Sequence, residues 1–177
     1  MARIIRFAIL LTLLSVSLFA ETKKKEIEAV ADLDISRCTG TWYEIARLRH
    51  WFERNVVAAA ATCELLPNGK MRIIGQGQKN TFDGKRVKAK GIAWRSDKNS
   101  TAKWRVRFFW PFYGSYWIIK LDPDYRYAIV AHPKRKYLWV LSRVPTMDEP
   151  LFSSLIKFVE EQGFDLSRLE KVPQPKE

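Results

Sequence analysis

Gly40-Thr41-Trp42-Tyr43-Glu44-Ile45-Ala46-Arg47 opens on a glycine and then alternates along its length. A glycine before an aromatic pair suits a strand that starts at a tight bend and buries one face. With a period of two, Trp42, Glu44 and Ala46 share one face, and Tyr43 and Ile45 share the other. Glu44 is thereby placed beside Trp42, where a carboxylate must be paired or protonated. Lys120 is one candidate partner, and a hydroxyl or amine group of a ligand is another.

Working outward from this strand, short alternating runs recur with turn residues between them. The pattern predicts further strands at about 56–65, 70–77, 86–95, 102–110, 115–121, 125–132 and 137–143. Pro67-Asn68-Gly69, Asp83-Gly84, Pro111 to Gly114 and Asp122-Pro123-Asp124 punctuate them. The run 102–110 is the clearest: Trp104, Val106 and Phe108 alternate with Lys103, Arg105, Arg107 and Phe109. Residues 137–143 are apolar on both faces, so something must cover their outside. A helix at about 147–162 supplies the cover, with Leu151, Leu155, Phe158 and Val159 on one stripe. Thr146 and Glu149 have capping-box spacing, and Gly163 supplies the stop. The expected fold class is all-β: an eight-stranded antiparallel up-and-down barrel with one C-terminal α-helix packed outside. Closure also removes exposed strand edges.

The chain has 177 residues, enough for one domain with a substantial core. Arg3 and Arg6 precede an apolar run from Phe7 to Ala20, a pattern of a secretory signal peptide over 1–20. The run is shorter than the roughly 20 residues that span a bilayer. Residues 21–35 are then a polar leader outside the fold, and 36–177 form the barrel, helix and tail. The net charge of +12 attracts polyanions. Export excludes nucleic acid as a partner and leaves anionic lipid or acidic ligands. Cys38 and Cys63, the 2 cysteines, could pair in an oxidising compartment, being equidistant from the middle of a 40–65 hairpin. The alternative is two small, buried, apolar side chains.

Three separated segments resemble the lipocalins, β-barrels that carry small hydrophobic molecules. They are Gly40-Thr41-Trp42, Asp124-Tyr125 with Arg126, and Arg143 at the end of the last barrel strand. In that family the three meet at the closed end, which implies Arg143 stacked on Trp42. Phe52-Glu53-Arg54, Pro111-Phe112-Tyr113-Gly114, the run Tyr137 to Arg143, and Gly163-Phe164-Asp165 are similar to the bacterial lipocalins related to apolipoprotein D. Many bacterial members carry a lipobox cysteine, and no cysteine lies near residue 20 here. The expected location is therefore exported, periplasmic or outer-membrane associated, without that anchor.

The resemblance implies a barrel that binds and transports or stores a fatty acid or lysophospholipid. The alternation places Trp104, Val106, Phe108, Tyr116, Ile118, Tyr127, Ile129, Tyr137 and Trp139 inside. These either line a pocket or fill the barrel. The first loop, with Arg49, His50, Trp51, Phe52 and Arg54, belongs to the mouth together with Tyr113. Its cationic and aromatic groups either meet an anionic head group or form a solvated loop. Only His50 and His132 could serve as neutral-pH bases, and no catalytic or metal-binding constellation occurs. No enzyme activity, cofactor or metal is expected. An interaction scaffold is the rival function: Lys88, Lys90, Lys103, Arg105 and Arg107 form an outward cationic face for an anionic membrane surface. A homodimer stays open as a further partner.

Overall fold

The computed structural model describes residues 26–175, so the signal segment expected over 1–20 lies outside the described residues. Eight strands follow in sequence: β1 (Gly40–Leu48), β2 (Val56–Leu65), β3 (Met71–Lys79), β4 (Arg86–Arg95), β5 (Lys103–Phe109), β6 (Phe112–Leu121), β7 (Tyr127–Ala131) and β8 (Leu138–Ser142). Each is antiparallel to the next, and β1 pairs with both β8 and β2, which closes the barrel. β6 resumes at Phe112, earlier than expected, because the chain turns tightly at Trp110–Pro111. The helix α1 (Glu149–Glu161) is capped by Asp148, whose carboxylate accepts from the Leu151 amide. The expected capping box from Thr146 does not start this helix; Pro150 fits the first turn only when Asp148 is the cap. Gly163, at φ +77°, ends it as anticipated.

A ninth strand was not expected. β9 (Leu169–Lys171) pairs with the far half of β1, where β2 has peeled away. Gln174 then bridges the split, its Nε2 donating to the Glu44 carbonyl at 2.8 Å and to the Ala59 carbonyl at 2.9 Å. Backbone groups freed by the divergence of β1 and β2 are thus satisfied by the C-terminal segment. The residues just before the barrel are packed as well. Ile27 and Leu33 are buried, and the Val30 amide donates to the Ile118 carbonyl at 2.9 Å. The described part of the supposed leader therefore belongs to the fold.

Two apolar layers result. The outer one packs α1 residues Phe152, Leu155 and Val159 against Ile45, Ala46, Leu48, Ile129, Leu138 and Val140. The inner one contains Trp42, Ile73, Trp104, Ile118, Ala128, Val130 and Leu141. Tyr127 and Ile129 were expected inside, but they face α1. Both faces of β7 are apolar, so alternation alone left its direction open, and the helix takes the bulkier side.

The closed end is organised by Arg143. Its guanidinium carbon lies 3.8 Å from the centre of the Trp42 ring, as the resemblance implied. Nη1 donates to the carbonyls of Thr39 (2.8 Å) and Thr41 (3.0 Å), and Nη2 to that of Arg37 (2.6 Å). Gly40 adopts φ +88°, and a Cβ there would meet Arg143 Nη1 at 3.4 Å. Tyr125 accepts from the Asp34 amide at 2.8 Å and lies under the Arg37 guanidinium. The buried acid of this end is Asp122, not Asp124, which is exposed. The Arg126 side chain holds the Asp122 carboxyl down at about 2.

Arg143→Ala should destabilise the fold by about 3 kcal/mol, from a lost cation–π contact and unpaired carbonyls. Arg143→Lys should recover less than half of that, since a compact ammonium cannot stack flat on the indole and also reach the carbonyls of Arg37, Thr39, Thr41 and Tyr125. Urea denaturation of the three proteins measures both differences.

Candidate functional site

Inside the barrel, Trp42 forms part of the floor, its indole N–H donating to the Cys38 carbonyl at 2.9 Å. Above it lies an apolar cavity of about 60 Å³, lined by Met71, Ile73, Trp104, Tyr116, Ile118, Val130 and Leu141 among others. Small-molecule sites typically enclose about 300–1,000 Å³. The cavity is therefore small, and side chains fill much of the barrel around it. Cys38 and Cys63 both line it and are free thiols. The register pairs Gly40, not Cys38, with Cys63, because a short 3-10 turn at Ile35–Cys38 takes Cys38 out of the strand. Burial pushes Cys38 up to about 12 and Cys63 to about 11, so both stay protonated.

An aromatic layer adjoins the cavity through Tyr116. Trp139 packs against Tyr116 and Tyr137, each with ring centres 6.1 Å away. His50 stacks on Phe52 at 3.8 Å and contacts both Tyr137 and Trp139 at 5.6 Å. The Trp139 indole N–H donates to Glu53 Oε2 at 3.0 Å, which fixes the orientation of the ring. His50 Nε2 lies 2.8 Å from the same oxygen, off the line of a good hydrogen bond. Burial opposes ionisation of Glu53, yet the His50 contact holds its carboxyl below the usual value.

A bulge between Glu44 and Ala46 changes what β1 presents to the interior. Ile45 keeps the outer face it shares with Tyr43, while the bulge turns Ala46 outward as well and brings Arg47 in. Arg47 Nη1 donates to Glu44 Oε2 at 3.1 Å, and Nε donates to Glu170 Oε1 at 2.9 Å. Its Nη2 serves the carbonyls of Glu53 and Val56, both at 2.9 Å. This answers the question of Glu44: its partner is Arg47, while Lys120 sits outside over the Phe158 ring at 4.6 Å. One guanidinium shared among so many acceptors does not fully compensate Glu44. Burial and the neighbouring Glu53 push the Glu44 carboxyl up to about 8.

The other expected residues divide. Trp104, Tyr116 and Ile118 line the cavity, and Val106 and Trp139 pack against its cluster. Phe108 is half exposed near the rim, against Gly91, where a Cβ would come within 2.8 Å of its ring. His50 and Phe52 stack on one another in the loop after β1, with His50 against Trp139. Arg54 is exposed in the same loop. Tyr113 faces outward, with Trp94 and Arg105 on its ring, because it continues the polar side of the β5–β6 hairpin. Leu33 and Ile35 line the cavity but were missed, although apolar residues at 27, 30, 33 and 35 break up the otherwise polar leader.

Folding raises the Glu44 pKa from an ordinary 4.5, so its stabilising contribution is complete below that value and is lost as pH rises through about 8. Glu44→Gln should flatten this slope between pH 5 and 8 in pH-dependent thermal melts. Arg47→Met, which leaves Glu44, Glu170 and the carbonyls of Glu53 and Val56 without their donor, should cost about 3–5 kcal/mol in urea denaturation.

Residues 33–174 match the lipocalin-like domain. The chain is 38% identical over 168 residues to the outer membrane lipoprotein Blc of Citrobacter freundii, covering 95% of this chain and 94% of that protein. It is 38% identical over 162 residues to temperature-induced lipocalin-1 of Arabidopsis thaliana, covering 86% of each. Apolipoprotein D of Mus musculus is 26% identical over 152 residues, with 81% and 78% covered. Among solved structures, insecticyanin of Manduca sexta superposes with a TM-score of 0.69 at 18% identity, covering 86% of each chain, a likeness of fold. Closed barrel, arginine-capped tryptophan floor and sequence matches agree, and the chain belongs to the lipocalin family.

Proposed function

We propose that this lipocalin binds a single-chain lipid, a fatty acid or lysophospholipid, and transports or stores it in the cell envelope. The observation that carries the reading is the apolar cavity inside the barrel, lined by Trp42, Trp104 and Tyr116 and adjoined by Trp139 through Tyr116. Burial of an alkyl chain there gains about 0.8 kcal/mol per methylene. A cavity of about 60 Å³ holds only a small part of such a chain, so the aromatic layer must swing aside to admit it. Trp139 and Tyr137 are the natural moving parts, since they are only partly buried and lie at the mouth. Likeness to a named outer membrane lipoprotein supports the envelope as the place of action.

Native mass spectrometry of purified protein should reveal retained lipid, and a fluorescent fatty acid should be displaced by oleate. No retained lipid and no displacement would overturn the reading. Trp139→Ala should remain folded and release bound fatty acid faster, on the order of tenfold for a loss of about 1.4 kcal/mol in contact.

A second reading, contact with an anionic membrane surface, is favoured by a specific feature of the open end. Trp51, Phe109, Trp110 and Phe112 are exposed there, at 68–81% of their surfaces. Exposed aromatics of this size are unusual on a solvated tip. The cationic residues Lys88, Lys90, Arg105 and Arg107 are exposed on the adjoining strands, and Lys103 is half-buried over the Trp117 ring. Together they suit a mouth that rests on lipid while the cations meet head groups. Co-sedimentation with anionic vesicles should fall in a Trp110→Ala, Phe112→Ser double variant and fall again with salt. Undiminished sedimentation of that variant removes this reading.

A further inference from the structure

Outside the aromatic layer, a cleft of about 400 Å³ opens between the loop after β1, the loop before β8 and the segment leading into β9. Arg49, Lys136 and Arg168 line it together with His50, Trp51 and Tyr137. The two arginines are held by reciprocal bonds: the Arg49 amide donates to the Arg168 carbonyl at 2.7 Å, and Arg168 Nη2 donates to the Arg49 carbonyl at 2.9 Å. Two acids lie here: Glu170, 3.4 Å from Arg49 Nε with its other oxygen taken by Arg47 at 2.9 Å, and Glu53, 2.8 Å from His50 Nε2. Three cations therefore line one cleft: Arg49 is paired with Glu170, while Lys136 and Arg168 make no ion pair among the described residues, so an anion there would be attracted by all three. Beneath them the His50 side chain is 1% exposed, and its Nδ1 has no hydrogen-bond partner among the described residues. A buried ring nitrogen without a partner is uncommon and points to a missing group.

We propose that this cleft is an anion site that takes a phosphate or carboxylate group, held by Arg49, Lys136 and Arg168. It deepens the lipid-binding reading and rests on it for one purpose only: the route of the tail. His50 and Tyr137 line the cleft and also belong to the aromatic layer that reaches Trp139. An anionic head in the cleft thus leaves its chain beside the aromatic layer that adjoins the cavity. The ligand class becomes a single-chain anionic amphiphile whose head stays outside the barrel wall, and neutral lipids lose that anchor. Guanidinium groups suit such oxyanions because they donate in parallel pairs.

Calorimetric titration of the full-length protein with three probes tests this: oleoyl lysophosphatidic acid, monooleoylglycerol and inorganic phosphate. The phosphate lipid should bind more tightly than the neutral one, on the order of tenfold at low salt, with the ratio shrinking as salt rises. In Lys136→Glu and in Arg168→Gln the ratio should approach one while monooleoylglycerol affinity is unchanged. That constancy shows that the barrel is intact, and Lys136→Ala, at an exposed side chain, provides a milder version. Millimolar inorganic phosphate should erase the advantage of the phosphate lipid if the head alone is recognised. Equal binding of both lipids by the native protein overturns the anion site and leaves the barrel reading standing. Binding of neither lipid, with inorganic phosphate bound and then lost in Lys136→Glu, overturns the barrel reading and supports a site for free phosphate.

Discussion

The Arg143 guanidinium is the contact on which the closed end rests. It lies on the Trp42 ring and draws in carbonyls from the turn before β1, from β1 itself and from Tyr125 at the turn before β7. A barrel closes only when its first and last strands meet in one register. Arg143 follows β8 directly, and β1 begins at the glycine whose approach it requires. The same group therefore seals the floor of the cavity and fixes the junction of β8 with β1. Planarity matters here, because one face stacks on indole while the edge donates to oxygen.

A second arginine organises the opposite end. Arg47 reaches the interior only because β1 bulges, and once there it must be satisfied in full. Glu44, Glu170 and two carbonyls do this. The consequence is functional geometry. The loop carrying Glu53 is tied down, and Glu53 in turn holds the indole of Trp139 beside Tyr116. The polar cluster and the aromatic layer are one assembly, so opening the mouth must disturb buried charge as well as packing.

Much of the fold could be read from the chain. Alternation located eight strands within a few residues, and the stripe of Leu151, Leu155 and Val159 identified the covering helix. Three of the inward residues, Trp104, Tyr116 and Ile118, line the cavity because β5 and β6 keep their period where they pass it. The period failed at bulges. One after Glu44 turned Arg47 inward, and another after Ile118 sent Lys120 out to the helix. On β7 no bulge was needed to mislead, since Tyr127 and Val130 are both apolar and only the neighbour behind each decides its face. β9 was invisible because three residues of mixed character carry no periodic signal.

By itself the sequence determined the kind of container. Strand period, turn residues and the Gly40, Trp42 and Arg143 triad are local or short-range constraints, and they suffice for a closed barrel with an outside helix. The tertiary structure alone decided the contents and the entrance: the small size of the cavity, the pairing of Glu44 with Arg47, the aromatic layer, and the convergence of Arg49, Lys136 and Arg168 from three separate loops. The physical reason is that a side chain's face is set by backbone geometry it shares with its neighbours. A one-residue bulge reverses that face without leaving a mark in composition. Charges far apart in the chain acquire meaning only when the barrel brings their loops together.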